Sequence, residues 1–186
     1  MAEPATSTMT VAEFLRWAEG RPGRHELLEG RVVAMAPERA VHARVKLRVA
    51  RLLAEAVEGR GLPCEVYPDG MTVRVDETTA FEPDALVRCG PPLPDDALLV
   101  PDPLLVVEVL SPTSGRVDTT HKLEGYFRLA SVRHYLVVDP ERRAVIHHAR
   151  AGGEIRTRIL REGELRLDPP GIVLEVADLF PPVRPA

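Results

Sequence analysis

The run Leu104–Leu110, which reads LLVVEVL, constrains the fold more than any other feature, because it is the most hydrophobic stretch of the chain. A short apolar run that is rich in β-branched residues is typical of a strand buried on both faces. Such a strand needs cover on each side, which packed helices normally provide. We therefore expect this run to be a central strand of a mixed α/β domain.

The segments around this strand alternate between helical and strand-like patterns. A capping box at Thr10 and Glu13 predicts a short first helix, and Glu29-Gly30 predicts the turn of a hairpin. Further helices are predicted at about 39–58 and 118–130, and further strands at 64–68, 71–75, 85–89, 135–138, 144–148, 155–160 and 172–176. The expected fold class is α/β (an α+β mixed sheet), with a central mixed β-sheet flanked by helices, plus an N-terminal helix and hairpin.

The length and charge of the chain limit its organisation. With 186 residues, 45% of them hydrophobic, the chain can bury one good core and hardly two. We assign residues 9–180 to a single domain, residues 1–8 to a disordered N-terminus and residues 181–186 to a tail. The formal net charge of −4 gives no overall attraction to nucleic acid, so any such contact needs a local basic patch.

The two cysteines and the hydropathy pattern bear on location. Cys64 and Cys89 form no metal-ligand spacing, and we interpret them as small buried thiols. No signal-like segment is apparent, and no apolar run approaches the roughly 20 residues that cross a bilayer. We expect a soluble protein of the reducing cytoplasm, without a membrane partner.

Glu108 is an anomaly, because it places a carboxylate in the middle of the most apolar run. Removing a carboxylate from water is costly unless it is paired or bound to a metal ion. A strand end open to solvent, or a structural pair with an arginine, would also explain it. Glu108 therefore predicts either a site or an ordinary ion pair.

Asp84 favours the first of these interpretations. It follows Pro83 at the start of the predicted strand 85–89, and proline is excluded from the interior of a sheet. Neighbouring strands would bring Asp84 and Glu108 to one end of the sheet, where hard oxygen ligands suit Mg²⁺ or Mn²⁺. A simple turn cap after proline is the alternative for Asp84.

Lys122 lies in the opening turn of the predicted helix 118–130, beside residues of its buried face. Of the 24 basic residues, only Lys46 and Lys122 are lysines, so arginine serves wherever a positive charge is enough. A lysine ammonium is compact and acts chemically where a guanidinium does not. This scarcity favours a functional role for Lys122 over a solvated surface position.

Five blocks of the sequence together resemble a known family. They are HELLEGRVVAMAP, His42 at the head of a helix, FEPDALV, PDPLLVVEVLSPTS and HKLEGYFRLASVRHYLVVDP. In this order they resemble the Uma-type restriction-endonuclease family of the PD-(D/E)XK, or restriction-endonuclease-like, superfamily. The resemblance covers residues 10–180 and implies the core of that superfamily.

The resemblance also implies an activity, a metal-dependent endonuclease that cleaves DNA. It makes Asp84 and Glu108 ligands of Mg²⁺ or Mn²⁺, with the backbone carbonyl of Val109 as a further ligand. The chain departs from the superfamily pattern at Leu110, where a lysine usually stands. The resemblance then implies that Lys122 takes over the lysine role, orienting the attacking water or stabilising the developing charge.

Further interpretations concern one glutamate and three histidines. Glu26 matches a family position as an additional acidic ligand or a supporting group, and His42 is either catalytic or a structural contact between helix and sheet. His147 and His148 point to opposite faces of their strand, so they form no metal pair.

The remaining expectations from the sequence concern substrate contact and assembly. Arg44, Arg48 and Arg51 lie on a basic side of the helix 39–58, which also carries Lys46. That side either follows a DNA backbone or is an ordinary solvated face. A homodimer would suit double-strand cleavage. The competing function is a catalytically inactive binding or assembly module, acting with mobile-element or defence genes, which Leu110 and the acidic net charge favour.

Overall fold

Three α-helices and twelve strands form the described part of the chain, which is residues 8–111 and 116–182 of this computed structural model. The helices are α1 (Val11–Ala18), α2 (Ala40–Gly59) and α3 (Arg116–Arg128), and a 3₁₀ helix covers Val176–Leu179. The strands are β1 (His25–Leu28), β2 (Arg31–Ala34), β3 (Cys64–Pro68), β4 (Val73–Arg74), β5 (Ala80–Phe81), β6 (Ala85–Cys89), β7 (Leu105–Val109), β8 (His134–Asp139), β9 (Ala144–Ala151), β10 (Glu154–Leu160), β11 (Glu164–Leu167) and β12 (Ile172–Glu175).

The central sheet has six strands in the order β10-β9-β8-β7-β6-β3. Strands β7 and β8 are parallel and every other neighbouring pair is antiparallel, so the sheet is mixed. All five residues of β7 are buried. The prediction of a central mixed sheet, with the apolar run as an interior strand, is confirmed.

The two faces of this sheet are covered by different helices, because side chains alternate along β6 and β7. One apolar cluster joins α2 to one face, and its members include Val45, Val49, Leu53, Val87, Leu105 and Val107. The other joins α3 to the opposite face, and its members include Leu86, Val106, Tyr126, Phe127 and Tyr135. Each helix therefore reaches the sheet from its own side.

Two smaller sheets accompany the central one, with the strand orders β2-β1-β5-β4 and β11-β12. The capped first helix and the β1–β2 hairpin occur where the sequence predicts them. Strands β5 and β11 were not predicted. With two residues, β5 is too short to show an alternating pattern, yet its pairing with β1 at Leu27–Ala80 leads the chain directly into the Glu82-Pro83-Asp84 segment.

The interpretation of the cysteines as free thiols is wrong. Cys64 of β3 and Cys89 of β6 are direct cross-strand partners, with their Cα atoms 3.9 Å apart, and they form a disulfide. The antiparallel register between distant segments brings the two sulfurs together. The free-thiol argument for a reducing compartment therefore falls away, and the cytoplasmic location remains a prediction.

Among the described residues, no helix combines the length and apolar character needed to span a bilayer. The limits 1–8, 9–180 and 181–186 remain a prediction, and residues 1–7 and 183–186 lie outside the described part.

Candidate active site at one end of the central sheet

The two predicted acids come together where β6 begins and β7 ends. Ala85 pairs with Val107 of the antiparallel neighbour, so Asp84 stands one step further, across from Glu108. The backbone N–H of Asp84 donates to the Val107 carbonyl at 2.9 Å, and its Oδ2 accepts the N–H of Val109 at 2.7 Å. The strand pairing thus holds both carboxylates at the same end of the sheet.

Glu108 lies in an enclosed polar pocket on the α3 side. Both of its oxygens accept from the Lys122 ammonium at 3.1 Å, and Oε1 also accepts from the Tyr126 hydroxyl at 2.7 Å. The same ammonium lies 2.9 Å from Oε1 of Glu26, which accepts the backbone N–H of Glu82 at 2.8 Å. Lys122 therefore bridges two buried carboxylates, one from β7 and one from β1.

The enclosure of Glu108 changes its protonation. Burial raises the pKa of Glu108 to about 8, and the charges of Asp84 and Glu26 act in the same direction, while Lys122 and Tyr126 oppose the rise. Burial likewise raises the pKa of Tyr126 well above its usual range. A carboxyl whose pKa lies this far above its ordinary value is a candidate for a functional site.

Asp84 has a different cation, Lys46, which reaches it from α2. The Lys46 ammonium lies 2.9 Å from Oδ1 of Asp84 and also pairs with Glu38 and Asp69. The guanidinium of Arg24 joins the same group, at 3.0 Å from Glu38 and 2.7 Å from Asp69. We call Glu38, Asp69, Asp84 and Lys46 the Asp84 cluster.

Three members of the Asp84 cluster, Glu38, Asp69 and Lys46, stabilise one another's charged forms. Burial by itself lowers the pKa of Lys46, but Asp84, Asp69 and Glu38 outweigh it and raise that pKa. Burial acts to raise the pKa values of Glu38 and Asp69, yet the hydrogen bonds from Lys46 leave both values lowered. The charges of Glu38, Asp69 and Lys46 are therefore fixed across the neutral range.

The position of Lys46 corrects the sequence interpretation, which placed it on the exposed basic side of α2. Its side chain is 6% exposed and points to the sheet end. The scarcity of lysine that favoured a role for Lys122 applies equally to Lys46, and this feature of the sequence could have identified Lys46 as a site residue. Asp69 and Glu38 gave no such signal, because surface acids near turns are common.

His42 connects α2 to the same sheet end. Its Nε2 contacts the carbonyl oxygen of Val109 and lies 3.7 Å from Oδ2 of Asp84. The carbonyl that the family resemblance offers as a metal ligand thus has an imidazole contact in this structure. On the far strands, His147 bonds to His134 and His148 to Thr157, which agrees with their opposite directions along β9.

The three arginines suggested for nucleic-acid contact are not gathered at this site. Arg48 donates to the backbone carbonyl of Asp178 at 2.9 Å, and Arg51 lies 3.6 Å from Glu55 on the exposed surface of α2. Arg44 is exposed. Their role in binding DNA stays a prediction.

The side chains around Asp84 have the chemistry of a divalent-cation site. Carboxylate oxygens of Glu38, Asp69 and Asp84 lie within 4.8 Å of one another, and Glu108 stands across from Asp84 on the next strand. Hard oxygen donors of this kind suit Mg²⁺ and Mn²⁺, which need few protein ligands. Oxygen donors of the type that the implied metal takes are therefore present, and this group of three differs from the set of Asp84, Glu108 and Val109 that the resemblance implies.

A helix-flanked mixed sheet with acids at the ends of two adjacent strands and a lysine beside them defines a restriction-endonuclease-like fold. A crystal structure from Anabaena variabilis, described as a putative nuclease belonging to DUF820, matches it with a TM-score of 0.72. The match has 16% sequence identity and covers 92% of this chain and 97% of that chain. At this identity the likeness establishes the fold.

The chain belongs to the Uma2 family. The family model, described as "Putative restriction endonuclease", matches residues 11–178. Two uncharacterized proteins of Synechocystis sp. are also similar. One is 28% identical over 131 residues, which is 70% of this chain and 68% of the relative, and the other is 27% identical over 155 residues, which is 82% and 86%. The family resemblance seen in the sequence is confirmed.

Proposed function

We propose that this protein is a metal-dependent endonuclease that hydrolyses phosphodiester bonds of DNA. In this proposal Asp84 and Glu108 hold Mg²⁺ or Mn²⁺, and Lys122 assists the attacking water or the transition state. The observation that supports it best is the juxtaposition of two acids on adjacent strands with an ammonium 3.1 Å from one of them. Membership of the Uma2 family supports the same activity.

The bound divalent ion would supply polarisation of the scissile phosphate and a more acidic water. The residues of the chain supply the rest. Asp84 is oriented by the Val109 N–H, so its carboxylate is preorganised before substrate arrives. Glu108 and Glu26 hold the Lys122 ammonium beside the two strand ends, and in the proposal its positive charge stabilises the negative charge that develops on the phosphate.

Two further family positions receive supporting roles in the proposal. Glu26 positions Lys122 through its 2.9 Å contact and is itself fixed by the backbone of Glu82. The Val109 carbonyl has a second lone pair besides the one that faces His42, so it is proposed as an additional ligand. His42 then acts by holding that carbonyl in place.

The proposal is tested by plasmid nicking with purified protein. We expect nicking with added Mg²⁺ or Mn²⁺, none with a chelator, and loss in both Asp84→Asn and Glu108→Gln. Glu164→Gln is the matched control, because this exposed carboxylate on β11 pairs only with neighbouring Arg166 among the contacts of the described residues. Equal nicking by all four proteins would reveal a contaminating nuclease and contradict the proposal.

A binding or assembly module is the other function to test, and the observation that favours it is Leu110. This residue replaces the usual lysine and packs with the apolar cluster on the α3 face. If calorimetry detects no divalent-ion binding and no variant differs from the wild type, the inactive module is the better description. A homodimer and a cytoplasmic location remain predictions under either function.

A further inference from the structure

We propose that Lys46 is an internal counterion that competes with the divalent ion for Asp84. Its ammonium lies 2.9 Å from Oδ1 of Asp84, and in this inference the ion binds to Asp84 when the ammonium withdraws. This inference rests on the proposed function, because it assumes that Asp84 is a metal ligand. It goes further by giving the site a built-in control on metal affinity.

The first observation is that each oxygen of Asp84 already has a partner. Oδ1 lies 2.9 Å from the Lys46 ammonium, and Oδ2 accepts the N–H of Val109 at 2.7 Å. The Val109 N–H is fixed in the sheet end, whereas the lysine stem is flexible. A metal ion that binds Oδ1 of Asp84 must therefore displace the ammonium, because the lysine stem can move and the Val109 N–H cannot.

The second observation is that Lys46 has partners to which it can withdraw. Its ammonium also pairs with Glu38 and Asp69, whose side chains are 30% and 35% exposed, while Asp84 is 5% exposed. A small outward shift keeps two carboxylate contacts and releases the third. Lys46 can thus leave Asp84 without becoming an unpaired buried charge, which would be costly.

The partners of Lys122 differ from those of Lys46, and this difference is why the inference concerns Lys46 alone. Glu108 and Glu26, with which Lys122 pairs, are both buried, and it bonds to both oxygens of Glu108. Withdrawal of Lys122 would leave two buried carboxylates without this cation, whereas Lys46 keeps two partly exposed carboxylates when it leaves Asp84.

The test is calorimetric titration of the full chain with Mn²⁺ and separately with Mg²⁺. We expect Lys46→Met to bind at least about tenfold tighter than the wild type, because the competing positive charge is gone. Lys46→Arg should stay within about threefold of the wild type. The matched control is Arg51→Met, which removes a positive charge from the same helix at a site that pairs with Glu55, and its affinity should not change.

The outcomes separate this inference from the proposed function. If wild type and Lys46→Met bind equally, or if the variant binds more weakly, the counterion role is wrong while the metal site stands. If neither binds either metal, both proposals fail. Binding by Lys46→Met alone would support both.

A second measurement needs no variant and so does not depend on the folding of Lys46→Met. Because the chain has only two lysines, reductive methylation followed by peptide mass spectrometry reports on Lys46 and Lys122 separately. We expect saturating Mg²⁺ to increase methylation of Lys46 several-fold. Unchanged protection of Lys46 at saturating Mg²⁺ would overturn the inference.

Discussion

The two halves of the candidate site use the same pair of groups, a carboxylate and a lysine, in opposite environments. The Asp84 cluster is partly open to solvent, and the pKa values of Glu38 and Asp69 are lowered. The Glu108 pocket is closed, and burial raises the pKa of Glu108 to about 8. Exposure and the number of neighbouring charges therefore decide whether the pKa of an acid is lowered or raised. From this difference we infer that the two halves have different roles in the proposed activity.

The largest expected effect concerns activity. Lys122→Met should reduce the rate of plasmid nicking about a hundredfold or more, since it removes a positioned positive charge from the reacting centre. Lys46→Met should stay within about tenfold of the wild type at saturating Mg²⁺, because its proposed role ends when the ion binds. The measurement is the initial nicking rate at saturating metal. Equal losses in the two variants would remove the functional distinction between the halves.

Stability of the metal-free protein should follow the same contrast. Lys122→Met leaves Glu108 and Glu26 buried without their shared cation, and we expect it to lower the free energy of unfolding by about 3 kcal/mol. Lys46→Met removes the cation of buried Asp84, which keeps the N–H of Val109, while solvent and Arg24 still stabilise Glu38 and Asp69, so we expect a smaller loss of about 2 kcal/mol. Urea denaturation with a chelator measures both. A larger loss in Lys46→Met than in Lys122→Met would contradict this view.

The pH dependence of stability should isolate Glu108. Its pKa rises from 4.5 to about 8 on folding, so the folded state binds more protons between these values and stability falls as pH rises. Burial lowers the pKa of His147 from 6.5 to about 4, which gives the opposite slope below pH 6.5. From pH 6.5 to 8 the wild type should therefore lose about 1–2 kcal/mol that Glu108→Gln does not lose.

Denaturation curves at several pH values across that window check this expectation. Parallel profiles for wild type and Glu108→Gln would show that Glu108 is ionised throughout. The pocket would then resemble the Asp84 cluster in its charge state, and the contrast between the halves would be lost.

The smallest expected effect comes from Tyr126→Phe, which removes one hydrogen bond to Glu108 and keeps the ring. We expect a loss of about 1 kcal/mol in unfolding free energy. Because the hydroxyl opposes the rise in the pKa of Glu108, its removal should also move the pH window upward. The same denaturation series measures both changes, and a downward shift of the window would contradict the proposed electrostatics.

Local sequence signals pointed to Glu108, Lys122 and Asp84, while Glu26 came only from the family resemblance. An acid inside an apolar run, a proline before Asp84 and a rare lysine on the following helix each carry information at their own positions. The strand order adds only that β6 and β7 are neighbours. The Glu108–Lys122 contact therefore lies close to what the pattern of the chain predicts.

The Asp84 cluster could not be assembled in the same way. Glu38 precedes α2 and Asp69 follows β3, so their meeting with Lys46 depends on how the helix docks on the sheet. Helical spacing alone placed Lys46 on the solvent side, because it does not record what a long side chain can reach. The Cys64–Cys89 disulfide was missed for a related reason, since it depends on the register of two strands.

The central claim is that Asp84 and Glu108 together hold one divalent ion. A crystal soaked in Mn²⁺ and measured for anomalous scattering tests it most directly. We expect a peak about 2.2 Å from a carboxylate oxygen of each residue, with Lys46 moved away from Asp84. No peak beside Glu108, or a peak held only by Glu38 and Asp69, would contradict the claim.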